Sequence, residues 1–199
     1  MQRSDAEQDD QSIADAAKNF NRLEHVLLQN RTLTLFGEIN QDVARRMAEK
    51  LLALAFESDD PITLYIGSPG GHVESGDTIF DLIRYIKPEV RIIGTGWVGS
   101  IATHIYLAAE KDNRFALPNT RFLIHQPSGG FGGDAADIEI HAREILKTRE
   151  RINGIIAERT GQSIDRVGED TQRDYWMSAE ESVEYGLVGK IISDISEVG

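Results

Sequence analysis

From Phe20 onward the apolar positions fall in short blocks that switch between the period of a helix and the period of a strand. Leu23, Leu27 and Leu28 predict a short helix, and Thr32 to Phe36 a strand. Gln41 to Phe56 reads as a helix, with Val43, Met47, Leu51 and Ala55 on one face and Asn40 as its N-cap. A strand over Ile62 to Ile66 and a turn at Ser68-Pro-Gly-Gly71 follow. Next come a helix over Asp77 to Ile86, a strand over Glu89 to Gly94 and a helix from Ser100. Short strands at Arg114 to Leu117 and Arg121 to Ile124 lead to a Gly-rich loop from Gln126 to Gly133. Asp134 opens a long helix that stops at Gly161. Ser178-Ala-Glu-Glu181 is a capping-box signature for a last helix, and Leu187 to Ile192 closes as a strand.

This β–α alternation, repeating roughly every 30 residues, predicts an α/β domain. No linker interrupts it, so residues 20–199 read as one domain. Residues 1–19 carry no strong period and read as a mobile N-terminal segment. The long helix spans about 40 Å. Ile138, Ala142, Ile145, Ile152 and Ile156 keep near-heptad spacing, broken by Arg149. Two readings fit it: an amphipathic core helix, or a helix projecting into a partner subunit.

Composition narrows the function. A net charge of -12 over 199 residues argues against a nucleic-acid or anionic-membrane surface. There are no cysteines, which removes disulfides and thiolate metal sites and suits a reducing, cytoplasmic compartment. Met1 to Asp10 is polar and acidic, unlike a signal peptide. Ile92 to Ala109 lacks Asp, Glu, Lys and Arg, but its glycines, Thr103 and His104 make it a buried strand, turn and helix rather than a membrane span. No P-loop motif is present, so ATP hydrolysis through one is not expected. No cluster suits a metal, and no cofactor is called for.

Ser100 lies where a β-branched strand runs through glycines into a helix. A serine hydroxyl needs a base to become a nucleophile, and a helix start favours a developing oxyanion. The same position also suits a plain N-cap serine. The surroundings are not the Gly-x-Ser-x-Gly of α/β-hydrolases, since Val98 and Ala102 replace the glycines. Among the five histidines, His25 and His141 read as solvated, and His72 follows the Pro-Gly-Gly turn. His104 could lean toward Ser100 from one helical turn away or be a buried structural histidine. His125 ends an apolar strand where its ring can enter a cleft. Asp170 and Asp174 are both available as an orienting acid. Gly70 and Gly71 permit close backbone approach, and a free N–H there could complete an oxyanion hole.

Together these segments resemble the proteolytic subunits of the Clp protease, the ClpP family. The match is collinear over about residues 30 to 195. It rests on Tyr65-Ile-Gly-Ser-Pro-Gly-Gly71, Ile86-Lys-Pro88, Ile124-His-Gln-Pro127, Asp137-Ile-Glu-Ile-His-Ala-Arg-Glu-Ile-Leu146, Met177-Ser-Ala-Glu-Glu181 and Glu184-Tyr-Gly-Leu187. The resemblance implies a crotonase-like fold of repeated β-β-α units with a projecting long helix. It implies a serine endopeptidase triad of Ser100, His125 and Asp174, with the acid placed immediately after Arg173. Gly71 and Ile101 would supply oxyanion N–H groups. Gly70, Gln126, Pro127, Ser128, Gly129 and Gly130 would bind extended peptides by main-chain pairing. Tyr65, Tyr85, Ile93, Phe115 and Ile192 would form the docking groove for a ClpX- or ClpA-like ring ATPase. Unfolded polypeptides would be cut, with an apolar bias, inside two stacked seven-membered rings, homomeric or mixed with a paralogue.

The departures from the family pattern fall around the nucleophile. Gly99-Ser-Ile-Ala-Thr103 stands where Ala-Ser-Met-Gly-Ala is usual, His104 replaces an apolar residue, and Gln172 replaces an acid before the arginine. They touch the oxyanion hole, the first specificity pocket and the ring-to-ring contact. They also motivate an alternative, a non-cleaving structural ring subunit paired with an active paralogue. A crotonase-class acyl-CoA enzyme would share the fold.

Overall fold

In a computed structural model, residues 22–127 and 132–198 are described. The N-terminal segment 1–19 and Ser128, Gly129 and Gly130, expected from the sequence to bind peptide, lie outside the described residues. The elements run helix α1 (22–29), β1 (Thr32–Phe36), α2 (Gln41–Glu57), β2 (Ile62–Ser68), α3 (Val73–Tyr85), β3 (Val90–Gly99) and α4 (Ile101–Tyr106). After them come β4 (Arg114–Ala116), β5 (Arg121–Ile124), α5 (Ala135–Thr160), α6 (Ile164–Asp170), β6 (Tyr175–Met177), α7 (Ala179–Tyr185) and β7 (Lys190–Ile191).

Strands β1-β2-β3-β4-β7 pair in that order, all parallel, as the β–α alternation requires. In β2, Ile62, Leu64, Ile66 and Ser68 are buried and the residues between them half-buried. This period of two leaves neither face open to water. Helix α2 buries Ala44, Met47, Leu51 and Leu54, a face turned slightly from the expected one, and the Asn40 side chain accepts the Val43 N–H. The capping box at Ser178 and Glu181 is fully formed.

Strand β3 decides where the site lies. The sequence suggests a stop at Gly94, yet the strand runs on to Gly99. Between Ile66 and Ser68 on β2 the register jumps from Gly94 to Val98, so β3 bulges through Thr95, Gly96 and Trp97. Its first half pairs with β4 and its second half with β5. Strand β5 then pairs antiparallel with β6, making a small second arm of the sheet. Trp97, Trp176 and Arg121 stack on this arm, with ring centroids 5.5 Å apart and the guanidinium 4.4 Å from the Trp176 ring.

Helix α3 starts at Val73, four residues earlier than the apolar pattern indicates. Its first turns bury the small residues Ser75 and Gly76 instead of large apolar ones. A Cβ on Gly76 would lie 2.1 Å from Ile101 Cγ1, so α4 packs directly on α3 backbone. Helix α6 and strand β6 are shorter than the periods a sequence reveals, and the closing strand contracts to Lys190–Ile191 while Leu187 and Val188 remain buried.

The long helix α5 buries Ile152, Asn153, Ile156 and Thr160. Its N-terminal half leaves Ile138, Ile140 and Leu146 each about half exposed. The helix therefore docks by its last turns and projects by its first. None of the described helices is long and apolar enough to cross a membrane.

Candidate active site

The backbone of Ser100 is strained. It has φ 56° and ψ -127°, and among the described residues only Arg31 is another non-glycine with positive φ. Such a conformation costs on the order of 1–3 kcal/mol and persists only where the surroundings impose it. Here the Ser100 N–H donates to Leu123 O at 2.9 Å, tying the turn to β5. Although Ser100 occupies the N-cap of α4, its side chain makes no capping bond. Its Oγ lies instead 2.8 Å from His125 Nε2.

His125 follows the last residue of β5, and Asp174 precedes the first residue of β6. The antiparallel register pairs Leu123 with Trp176 and Ile124 with Tyr175, so the next pair outward is His125 and Asp174. Strand pairing alone thus places the imidazole opposite the carboxylate, and Nδ1 lies 3.0 Å from Asp174 Oδ1. The loop is clamped further by Gln126, whose N–H donates to Thr171 O at 2.7 Å and whose amide donates to Gln172 O at 3.0 Å. Because an ionised carboxylate only accepts, Nδ1 carries the proton and Nε2 offers its lone pair to the Ser100 hydroxyl. This arrangement can take a proton from Oγ as the oxygen attacks an acyl carbon. The Asp174 side chain is 63% exposed in the subunit, so its hold on the ring comes from register more than from a low dielectric.

The other candidates are engaged elsewhere. Asp170 accepts from the Tyr185 hydroxyl at 2.9 Å and lies 3.6 Å from Arg166 Nε, away from His125. His72 Nδ1 lies 2.8 Å from Ser75 Oγ, and its Nε2 is 3.3 Å from Glu74. His104 turns away from Ser100 toward α3. It is almost fully buried, stacks on Phe80 with centroids 4.3 Å apart, and brings Nε2 to 3.2 Å from Asp77 Oδ1, at ion-pair distance but not aligned for a hydrogen bond. Arg151 of α5 forks onto the same carboxylate at 2.9 and 2.6 Å. Burial by itself would raise Asp77, but His104 and Arg151 outweigh it and bring the carboxyl down to about 2. A depressed folded-state value adds stability above the unfolded-state pKa and loses it as pH falls through the folded one. The thermal stability advantage of wild type over Asp77→Asn is therefore expected to hold at neutral pH and shrink from about pH 4 toward pH 2, measured by melting temperature. Nothing in the sequence pattern signals this link between α3, α4 and α5, because its members lie far apart along the chain.

Gly70 and Gly71 bring a second stretch of backbone to Ser100. A Cβ on Gly70 would lie 2.7 Å from Ser100 Cβ, and one on Gly71, at φ +149°, would lie 2.2 Å from Ile39 O. The turn is held by Ile39, whose N–H donates to Gly70 O and whose carbonyl accepts the His72 N–H, both at 2.8 Å. Among the described residues, the N–H groups of Gly71 and Ile101 donate to no protein acceptor. Gly71→Ala is expected to force the turn off Ile39, because the added Cβ would overlap the Ile39 carbonyl, and to lower the melting temperature.

Ile93, Phe115 and Ile192 form a separate small cluster with Tyr65 packed against it, in line with their adjacent registers on β2, β3 and β4. These three are buried within the subunit, whereas Tyr85 stands apart at 81% exposure. Of the five residues expected from the sequence to form a docking groove, Tyr65 and Tyr85 are the ones with surface to offer. Among the described residues, no group of three or more His, Cys, Asp or Glu side chains could hold a metal ion.

The sequence pattern of the family described as Clp protease matches residues 15–194. The chain belongs to the Clp protease family. It is a proteolytic subunit of the ClpP type, and this family's members are serine peptidases. It is 54% identical over 172 residues to the ATP-dependent Clp protease proteolytic subunit 3 of Rhizobium meliloti (strain 1021), covering 86% of this chain and 88% of that one. With the proteolytic subunit 2 of Pseudomonas aeruginosa it shares 50% identity over 177 residues, 89% of this chain and 88% of the relative. ClpP1 from Listeria monocytogenes superposes with a TM-score of 0.81 at 50% identity, covering 89% of this chain and 99% of that structure. The fold is thus the α/β fold of ClpP.

Proposed function

We propose that this ClpP subunit is itself an active serine endopeptidase whose nucleophile is Ser100. The hydrogen-bonded run from Ser100 Oγ through His125 to Asp174, built on a strained serine, carries this reading. Oγ attacks the scissile carbonyl while its proton passes to His125 Nε2, and Asp174 keeps the imidazole in the accepting tautomer. The oxyanion is met by the N–H groups of Gly71 and Ile101. The proton then goes to the leaving amine, an acyl ester remains on Ser100, and water activated by His125 hydrolyses it.

Extended peptide runs along Gly70 and the Gln126 to Gly130 segment by main-chain pairing. The exposed apolar residues on the projecting half of α5 favour assembly into two stacked seven-membered rings, with catalysis in the enclosed chamber. ATP-driven unfolding belongs to a ClpX- or ClpA-like ring that docks near Tyr65 and Tyr85, in the cytoplasm. Native mass measurement is expected to show fourteen subunits, alone or together with a paralogue, and the assembly is expected to cleave a short fluorogenic peptide without ATP. Cleavage that appears only when a second ClpP-type chain is present, with no Ser100 adduct, would show that this subunit is structural.

A further inference from the structure

Beside Ser100 and His125 the site closes into a pocket whose walls are largely apolar. Val73, Ile101, His104, Ile124, Ile152 and Ile156 line it, and its volume is ≈ 20 Å³. That is room for about one water molecule or a methyl group. Any acyl group esterified to Ser100 has its α-carbon one bond beyond the reacting carbonyl. Its side chain therefore meets this pocket first.

The walls are fixed from behind. Ile101 cannot retreat toward α3, because it already fills the space where Gly76 lacks a side chain. The Thr103 hydroxyl lies 3.0 Å from both Val98 O and Leu123 O, committed to the backbone. His104 is held on one face by Phe80, with interplanar angle 20°, and at its edge by Asp77, which Arg151 grips with two bonds. Swinging the buried imidazole aside would separate it from the half-buried Asp77 carboxylate and break its stack on Phe80. A large incoming side chain would have to pay that cost.

We infer that His104 is a specificity-determining residue, whose pinned ring restricts the residue before the scissile bond to alanine- or serine-sized side chains and disfavours Leu, Met and Phe. This rests on Ser100 being the nucleophile. It also narrows the apolar bias expected from sequence to the small end of the apolar range.

The test uses the assembled protein with peptidyl aminocoumarins and peptidyl diphenyl phosphonates that differ only in this side chain (Ala, Ser, Leu, Phe). Wild type is expected to favour Ala over Leu and Phe at least tenfold in kcat/KM and in labelling rate, within the roughly 10–200-fold that pocket methylenes supply. His104→Ala is expected to raise the Leu-to-Ala ratio about tenfold or more. A variant that merely weakened the fold would lower both substrates together and leave that ratio unmoved. Labelling of Ser100 with Leu or Phe probes as fast as with Ala overturns the inference and leaves the peptidase reading standing. The wild-type series decides this even if His104→Ala does not fold. Failure of every probe to label Ser100 overturns the peptidase reading, and this inference with it.

Discussion

Ser100→Ala is expected to lower kcat for peptide hydrolysis by about 10⁶, the scale seen when a serine-protease nucleophile is removed. The loss should be almost purely chemical. Oγ makes no capping bond to α4, and its hydrogen-bond partner is His125, so its removal leaves no buried donor or acceptor stranded in the core. The melting temperature should accordingly change little, since a substitution outside packing or network features shifts stability within about 0.5 kcal/mol. The alanine variant should also keep its oligomeric mass. Retention of more than a hundredth of the wild-type rate would place the nucleophile elsewhere.

Asp174→Asn is expected to reduce kcat about 10⁴-fold with KM little changed. An amide at this place can donate to Nδ1, which favours the tautomer carrying its proton on Nε2. That nitrogen could then no longer accept from Ser100. The neighbouring Asp170→Asn provides the contrast, because Asp170 serves the Tyr185 hydroxyl and Arg166. Its kcat should stay within a few-fold of wild type, and its cost should appear as lower thermal stability. Tyr185, pushed well above the ordinary tyrosine range by burial and by its bond to Asp170, remains a donor throughout the working pH range, so this brace does not titrate away. A larger kinetic defect in Asp170→Asn than in Asp174→Asn would reverse the assignment of the acid.

These residues were not equally visible in the sequence. Ser100 and His125 stand at the ends of strong apolar blocks, yet residue chemistry alone favoured a capping serine over a nucleophile at Ser100. What separates them is the positive φ of Ser100 and the direction of its Oγ, neither of which leaves a mark in composition. His104, one turn along, is removed as a base by its contacts to Phe80 and Asp77, and both partners sit on a helix more than twenty residues earlier. The acid was distinguished by family resemblance. Its physical basis is the pairing of β5 with β6, and three residues of β6 are too few to show a period.

The α/β alternation was legible because large apolar residues repeat at strand and helix spacing. It faltered where small residues do the packing. Gly94 to Gly99 looks like a break but carries β3 through a bulge to β5. Ser75 and Gly76 look like loop but let α3 and α4 touch. The first half of α5 carries Ile138, Ile140 and Leu146 but contributes no buried core face, since it projects from its own subunit.

Mass-spectrometric location of a fluorophosphonate adduct on the wild-type protein tests the central claim most directly. One adduct per active subunit is expected, on the peptide carrying Ser100, with labelling lost in His125→Ala. An adduct on any other residue, or none while peptide is being cleaved, would contradict it.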